Sequence, residues 1–148
     1  MTPVMGTVIK KNPTAPVQPS PCGPLRVLLV EDEQNDAVLI ATLLSTKQEP
    51  EFIVDWRRRP ADALDALNEH TYHVCLVDDQ MGVQSGLDFI AHATRVAPMV
   101  PVILLTTDSS RDADVAAMRA GACNFLLKPT LTARTLQRSI RYAVWGAD

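Results

Sequence analysis

From Leu25 onward, five short apolar, β-branched runs recur along the chain, and between them the apolar positions take a helical spacing. The runs are RVLLV (Arg26 to Val30), FIVDW (Phe52 to Trp56), HVCLV (His73 to Val77), PVILL (Pro101 to Leu105) and NFLLK (Asn124 to Lys128). Each is the length of a strand. The intervening spacing predicts one apolar face from Val38, Leu39, Thr42 and Leu43, and a second from Ala63, Leu64 and Leu67. A third contains Leu87, Ile90 and Ala91, a fourth Val115, Met118 and Ala122, and a fifth Leu136, Ile140 and Val144. Asp62 and Asp112 stand near helix starts, and Gly121 stands where a helix-ending glycine would. Five strands alternating with five helices predict an α/β fold with a parallel sheet covered on both faces. The flavodoxin-like (βα)5 doubly wound arrangement, with strand order 2-1-3-4-5, is the expected form.

Six of the eleven prolines fall within the first 24 residues, where they remove backbone donors and disfavour helix. Residues 1–24 are therefore expected to be a flexible, proline-rich arm, and residues 25–148 the folded domain.

In an open α/β sheet the functional crevice lies beyond the carboxyl ends of the strands. The first predicted strand runs into Glu31 and Asp32, the third into Asp78 and Asp79, the fourth into Thr106 and Thr107, and the fifth into Lys128 and Pro129. With strands 1 and 3 as neighbours, Glu31, Asp32 and Asp78 converge, flanked by Thr106 and Lys128. Clustered carboxylates repel one another unless a cation compensates them. An all-oxygen site of this kind suits Mg²⁺, and Lys128 offers a second, compact positive charge. A carboxylate surrounded by a metal, a lysine and a hydroxyl is a place where a phosphoryl group can be received.

Composition narrows the alternatives. A net charge of −3 gives no bulk attraction to nucleic acid or anionic membrane, so neither is an expected partner. The run Arg57 to Arg59 reads as a solvated loop, because no basic face accompanies it. Cys22, Cys75 and Cys123 are odd in number and lack metal-site spacing, which fits a reducing cytosol; Cys75 and Cys123 read as small core residues. His70, His73 and His92 share no ligand spacing. The longest apolar stretch, Val96 to Leu105, is broken by Pro98 and Pro101. A cytoplasmic protein is expected.

Four segments together, VEDE (Val30 to Glu33), LVDDQMGVQSG (Leu76 to Gly86), LLTT (Leu104 to Thr107) and LLKP (Leu126 to Pro129), resemble the receiver domain of two-component response regulators. The resemblance extends over about residues 25 to 145. It implies that Asp78 is the phosphoacceptor, because Gly86 follows it by the family's spacing of eight residues. It further implies an acidic pair at Glu31 and Asp32, a Mg²⁺ held by Glu31, Asp32, Asp78 and the Gln80 carbonyl, and phosphoryl contacts from Thr106 and Lys128. Thr106 and Phe125 would be the switch pair. Asp79 would be solvated or would help the metal indirectly, and Lys128–Pro129 would be cis. The sequence departs from the family in having Gly82 where proline is common, Phe125 where tyrosine is usual, and Thr107 where a smaller residue is usual. Gln80 and Asp108 stand where the family tunes phosphoryl lifetime.

The implied function is phosphorelay signalling rather than enzymic turnover. A sensor histidine kinase or histidine phosphotransfer protein would be the phosphodonor. The face of the fourth helix, fifth strand and fifth helix would carry the output, and a homodimer through that face is left open. The fifth helix offers Arg134, Arg138, Arg141 and Tyr142 outside its core stripe. Two rival readings differ from this one at specific residues. A magnesium-dependent hydrolase of haloacid dehalogenase type needs a second acid two residues after the nucleophile, where this chain has Gln80. A pseudo-receiver that is never phosphorylated would be expected to lack one of the site groups. The chain would be either a stand-alone receiver or the first part of a longer regulator.

Overall fold

The computed structural model describes residues 23–81 and 84–146. The expected arm, residues 1–24, falls almost wholly outside the described residues, as do Cys22 and Gly82. Five strands form one parallel sheet: β1 (Leu25–Val30), β2 (Phe52–Arg57), β3 (Val74–Asp78), β4 (Val102–Thr106) and β5 (Asn124–Leu127). Their order is 2-1-3-4-5, as expected for the doubly wound flavodoxin-like fold. The helices are α1 (Gln34–Leu43), α2 (Pro60–Glu69), α3 (Gly86–Val96), α4 (Arg111–Ala120) and α5 (Ala133–Trp145). One feature had no counterpart in the hydrophobic pattern. Gln80–Met81 and Gln84–Ser85 pair as a short antiparallel ladder between β3 and α3.

β1, β3 and β4 are apolar almost throughout because both faces of the sheet are covered. Leu28, Val30, Cys75, Val77 and Leu104 pack beneath α2, α3 and α4. Leu25, Val27, Leu29, Val74, Leu76, Ile103 and Leu105 pack beneath α1 and α5. Residue parity along a strand therefore decides which side of the sheet a group enters.

Two helix faces differ from expectation. In α1 the buried residues are Ala37, Ile40 and, just beyond the helix, Leu44, with Leu43 half-buried, while Val38 and Leu39 are 55% and 51% exposed. Thr42 also faces out, its hydroxyl donating to the Val38 carbonyl. The segment AVLIATL is apolar nearly all round, so spacing alone could not choose among neighbouring stripes. In α4 the inward residue is Ala117, whereas Val115 and Met118 are exposed. Small alanines let that helix lie close to the sheet and leave the larger side chains outside. α2 and α5 keep their expected stripes, and α3 turns Phe89, Ile90 and Ala93 inward. Gly121 ends α4 at φ 118°, in the left-handed region that favours glycine.

Three smaller expectations also change. Lys128 opens a 3₁₀ turn, Lys128–Thr130, rather than closing β5. The Lys128–Pro129 bond is trans, the only cis peptide among the described residues being Glu49–Pro50; the trans form is the lower in energy for an X–Pro bond. Cys75 is buried, but Cys123 is exposed, since it precedes β5 outside the covered part of the sheet.

The α1 assignment is directly testable. Ile40→Ala should lower unfolding stability by about 2–5 kcal/mol, whereas Leu39→Ala should stay within about 0.5 kcal/mol. Urea midpoints at unchanged slope would measure both.

Candidate functional site

The paired acids at the end of β3 serve opposite sides of the sheet. Val74 and Leu76 enter the core beneath α1 and α5, and Asp78 continues that series. Cys75 and Val77 enter the opposite core, and Asp79 continues theirs. The Asp79 N–H donates to the Leu105 carbonyl at 3.0 Å, which extends the ladder by one residue. By the same parity, Glu31 after β1 and Lys128 after β5 fall on the Asp78 side, and Thr106 at the end of β4 falls on the Asp79 side.

On the Asp78 side, Lys128 Nζ lies 2.9 Å from Asp36 Oδ2, 3.3 Å from Asp78 Oδ2 and 3.5 Å from Glu31 Oε1. Carboxylate oxygens of Glu31, Asp36 and Asp78 lie within 4.8 Å of one another. Glu31 is 0% exposed and Asp78 only 5% exposed. Partial burial works against the Lys128 charge, but the Asp36 hydrogen bond and the charges of Asp78 and Glu31 outweigh it, and its pKa is raised. Burial, reinforced by Asp78 alongside, pushes the Glu31 carboxyl up to about 8 despite the Glu33 N–H and the lysine. Three acids thus share one ammonium, and a proton on Glu31 relieves part of the remaining repulsion. Glu31 Oε2 accepts from the Glu33 N–H at 3.2 Å, while the buried Oε1 has no hydrogen-bond partner.

On the other side, the Thr106 hydroxyl donates to Asp79 Oδ2 at 2.5 Å and accepts from the Asp108 N–H at 3.0 Å. Burial pushes the Asp79 carboxyl up, the Thr106 bond pulling against it and Asp78 adding to it. The backbone here has no slack. Gly86 N–H donates to the Asp79 carbonyl at 3.0 Å, and a Cβ at Gly86 would lie 2.4 Å from the Asp78 carbonyl oxygen and 2.8 Å from the Asp79 Cα. Only glycine permits that approach.

Glu31, Asp78 and Lys128 are therefore brought together, while the remaining expected residues stand farther out. Asp32 is half-buried and is not part of the carboxylate trio; its carbonyl accepts from Arg58 Nη1 at 3.2 Å. Gln80 opens the short ladder, its N–H 3.4 Å from Asp78 Oδ1. Phe125 packs partly buried on the same core as Leu104, its partner in the ladder, while Thr106 pairs with Leu127. Thr107 is exposed.

Two participants were missed by sequence reasoning. Asp36 sits in the first turn of α1, where an acid reads as a helix-dipole partner, and the expectation for Asp79, solvated or an indirect aid to the metal, did not include Thr106 as its partner. The arginines are also engaged: Arg57 with Asp55 at 3.0 Å, Arg58 over the Trp56 ring at 4.9 Å, and Arg59 with Asp62 at 3.6 Å. Trp56 Nε1 in turn donates to the Glu31 carbonyl at 2.7 Å, which ties the edge strand to the acidic loop.

Comparison with known proteins bears on this arrangement. A family model described as "Response regulator receiver domain" matches residues 27–141. The alginate biosynthesis transcriptional regulatory protein AlgB of Pseudomonas putida is 31% identical over 104 residues, which are 70% of this chain and 22% of that protein. The chain thus spans less than a quarter of that relative's length. Among solved structures, a response regulator receiver domain from Clostridium thermocellum is 27% identical, covers 81% of this chain and 94% of its own, and has a TM-score of 0.71. A response regulator protein from Burkholderia pseudomallei, solved with a phosphorylated aspartic acid, a calcium ion and citrate, is 26% identical with a TM-score of 0.65; the match covers 81% of this chain and 66% of that one.

The raised Glu31 pKa has a pH signature. A carboxyl whose folded pKa exceeds its unfolded one takes up a proton on folding, so its stabilisation is full at low pH and is lost as pH rises from about 4.5 to about 8. Lys128 is charged throughout this window and contributes no slope. His73, held below its ordinary value first by burial and then by Arg26, has the opposite sign, but above about pH 7 it is neutral in both states. In metal-free buffer, unfolding free energy should therefore fall between pH 7 and 8, by at most about 1.4 kcal/mol per unit from this group. Glu31→Gln should flatten that slope, as denaturant titrations at the two pH values would register.

Proposed function

Because the chain belongs to the response regulator receiver domain family, we propose that it is a phosphorylation-driven signalling switch with Asp78 as the phosphoacceptor. The observation that carries this reading is a nearly buried Asp78 carboxylate 3.3 Å from the Lys128 ammonium at the carboxyl end of the central strand. A nucleophilic carboxylate needs positive charge close by when it receives a phosphoryl group. In the transfer, a new bond forms between an Asp78 oxygen and phosphorus as the donor's bond to phosphorus breaks, and the donor leaves with that electron pair. Lys128 neutralises charge on the phosphoryl oxygens, and Thr106 supplies a hydroxyl donor to them.

The residues present fit Mg²⁺. The donors are all oxygen, and the buried Glu31 Oε1 lacks a hydrogen-bond partner. Glu31, Asp32, Asp78 and the Gln80 carbonyl would hold the ion, leaving Asp36 to Lys128, its nearest partner. When bound, the metal supplies charge neutralisation at the acidic cluster. The calcium ion and phosphorylated aspartic acid of the Burkholderia pseudomallei protein lend this reading support by similarity.

The phosphodonor would be a sensor histidine kinase or a histidine phosphotransfer protein. The output would leave through α4, β5 and α5. Val115, Met118 and Tyr142 are exposed there, and Arg138 lies 5.6 Å from the Tyr142 ring centre. Tyrosine and arginine are enriched at interfaces, and a homodimer through this face belongs to the same proposal. Recruitment of Thr106 by the phosphoryl group would shift the packing of Phe125, as a population shift between two arrangements. No helix among the described residues is long and apolar enough to cross a membrane. A cytoplasmic location is part of the proposal.

With acetyl phosphate and Mg²⁺, intact-mass spectra should show one added phosphoryl group on the wild type and none on Asp78→Asn. Loss of the adduct only in Asp79→Asn would move the nucleophile by one residue, and no adduct on the wild type would favour a pseudo-receiver.

Mg²⁺ should raise the melting temperature by mass action, because the unfolded chain has no such site. Asp32→Ala should remove most of that rise and Asp36→Ala should keep most of it. The reverse order would transfer the ligand role to Asp36.

A further inference from the structure

Thr106 is engaged before any phosphoryl group arrives. A hydroxyl carries one hydrogen and can donate once; here that hydrogen is committed to Asp79 Oδ2 at 2.5 Å. Its oxygen is occupied as well, by the Asp108 N–H at 3.0 Å. The backbone that carries this acceptor is fixed from both sides. Its N–H bonds Leu105 and its carbonyl accepts from Gly86, and Gly86 approaches too closely for any side chain. Asp79 lies beside Asp78, whose charge reaches it as that of Lys128 does, but the ammonium's ion-pair partners within 4.0 Å are Glu31, Asp36 and Asp78.

Building on the phosphoacceptor reading of Asp78, we propose that Asp79 is a latch on Thr106, holding the threonine hydroxyl until a phosphoryl group on Asp78 competes for it. Asp79 is a positioning residue in this scheme, acting on the reaction through Thr106. A phosphoryl group offers up to two negative charges and three acceptor oxygens, enough to win the single hydrogen from one carboxylate oxygen. Until then the competent arrangement, with a free Thr106 donor, is a minor population, and the apparent rate of phosphorylation is reduced by that fraction. The second aspartate at the end of β3 therefore sets the threshold of the switch, and the first receives the signal.

Removing Asp79 also removes a negative charge near Asp78, and the test must separate the two effects. Asp79→Asn deletes the charge but keeps an acceptor oxygen; Asp79→Ala deletes both. With acetyl phosphate and Mg²⁺, followed by intact mass, the phosphorylation rate should rise in the order wild type, Asp79→Asn, Asp79→Ala. The last step should be on the order of tenfold, the range of one hydrogen bond. In a Thr106→Val background Asp79→Asn and Asp79→Ala should react equally, whereas in Thr106→Ser the difference should persist. Asp79→Leu, which has the same branching and number of side-chain heavy atoms as asparagine but no acceptor, replaces Asp79→Ala if that variant fails to melt cooperatively. Equal rates for Asp79→Asn and Asp79→Ala on a phosphorylatable wild type would overturn the latch alone, as would a difference that survives Thr106→Val. A wild type that acquires no phosphoryl group would overturn the phosphoacceptor reading, and the latch with it.

Discussion

The lysine at the end of β5 is the charge on which the acidic end of the sheet depends. Glu31, Asp36 and Asp78 come from β1, α1 and β3, and each lies within 3.5 Å of the same Lys128 nitrogen. Taken together without it, three carboxylates at this separation would repel strongly enough to force protonation or local opening. With it, two excess negative charges remain, and the rise of Glu31 toward about 8 is how the protein relieves one of them. The same imbalance makes the site receptive to a further cation.

The second constraint is the two-residue period of the strand. Asp78 and Asp79 are adjacent in sequence but enter opposite sides of the sheet, one toward Lys128 beneath α1 and α5, the other toward Thr106. A single strand end thereby connects two networks, and Gly86 clamps the backbone between them. The two networks are joined through the single peptide between Asp78 and Asp79, whose far side is held by Leu105 and Gly86.

The apolar residues left outside follow from the same geometry. α4 uses alanine to sit close to the sheet, and Val115 and Met118 are displaced to the surface. α1 likewise leaves Val38 and Leu39 in water. Both helices flank the end of the sheet that bears the acids, so the exposed apolar residues lie on elements that border the site.

The sequence by itself determined the alternation of strand and helix, the parallel sheet and the residues that stand at its carboxyl end. These depend on local periodicity and on the rule that such sheets present their chemistry at one edge, and Glu31, Asp78, Thr106 and Lys128 could be named from it. Tertiary structure decided which carboxylate meets which partner. Asp36 reaches Lys128 across 92 positions of chain, and Asp79 reaches Thr106 across 27. No local pattern encodes such pairs, because they follow from strand order and residue parity together. It also decided the inner faces of α1 and α4, where apolar residues surround the helix or alanine does the packing. There the choice of stripe depends on how closely the sheet lets the helix approach, a distance that the hydrophobic pattern of one segment does not contain.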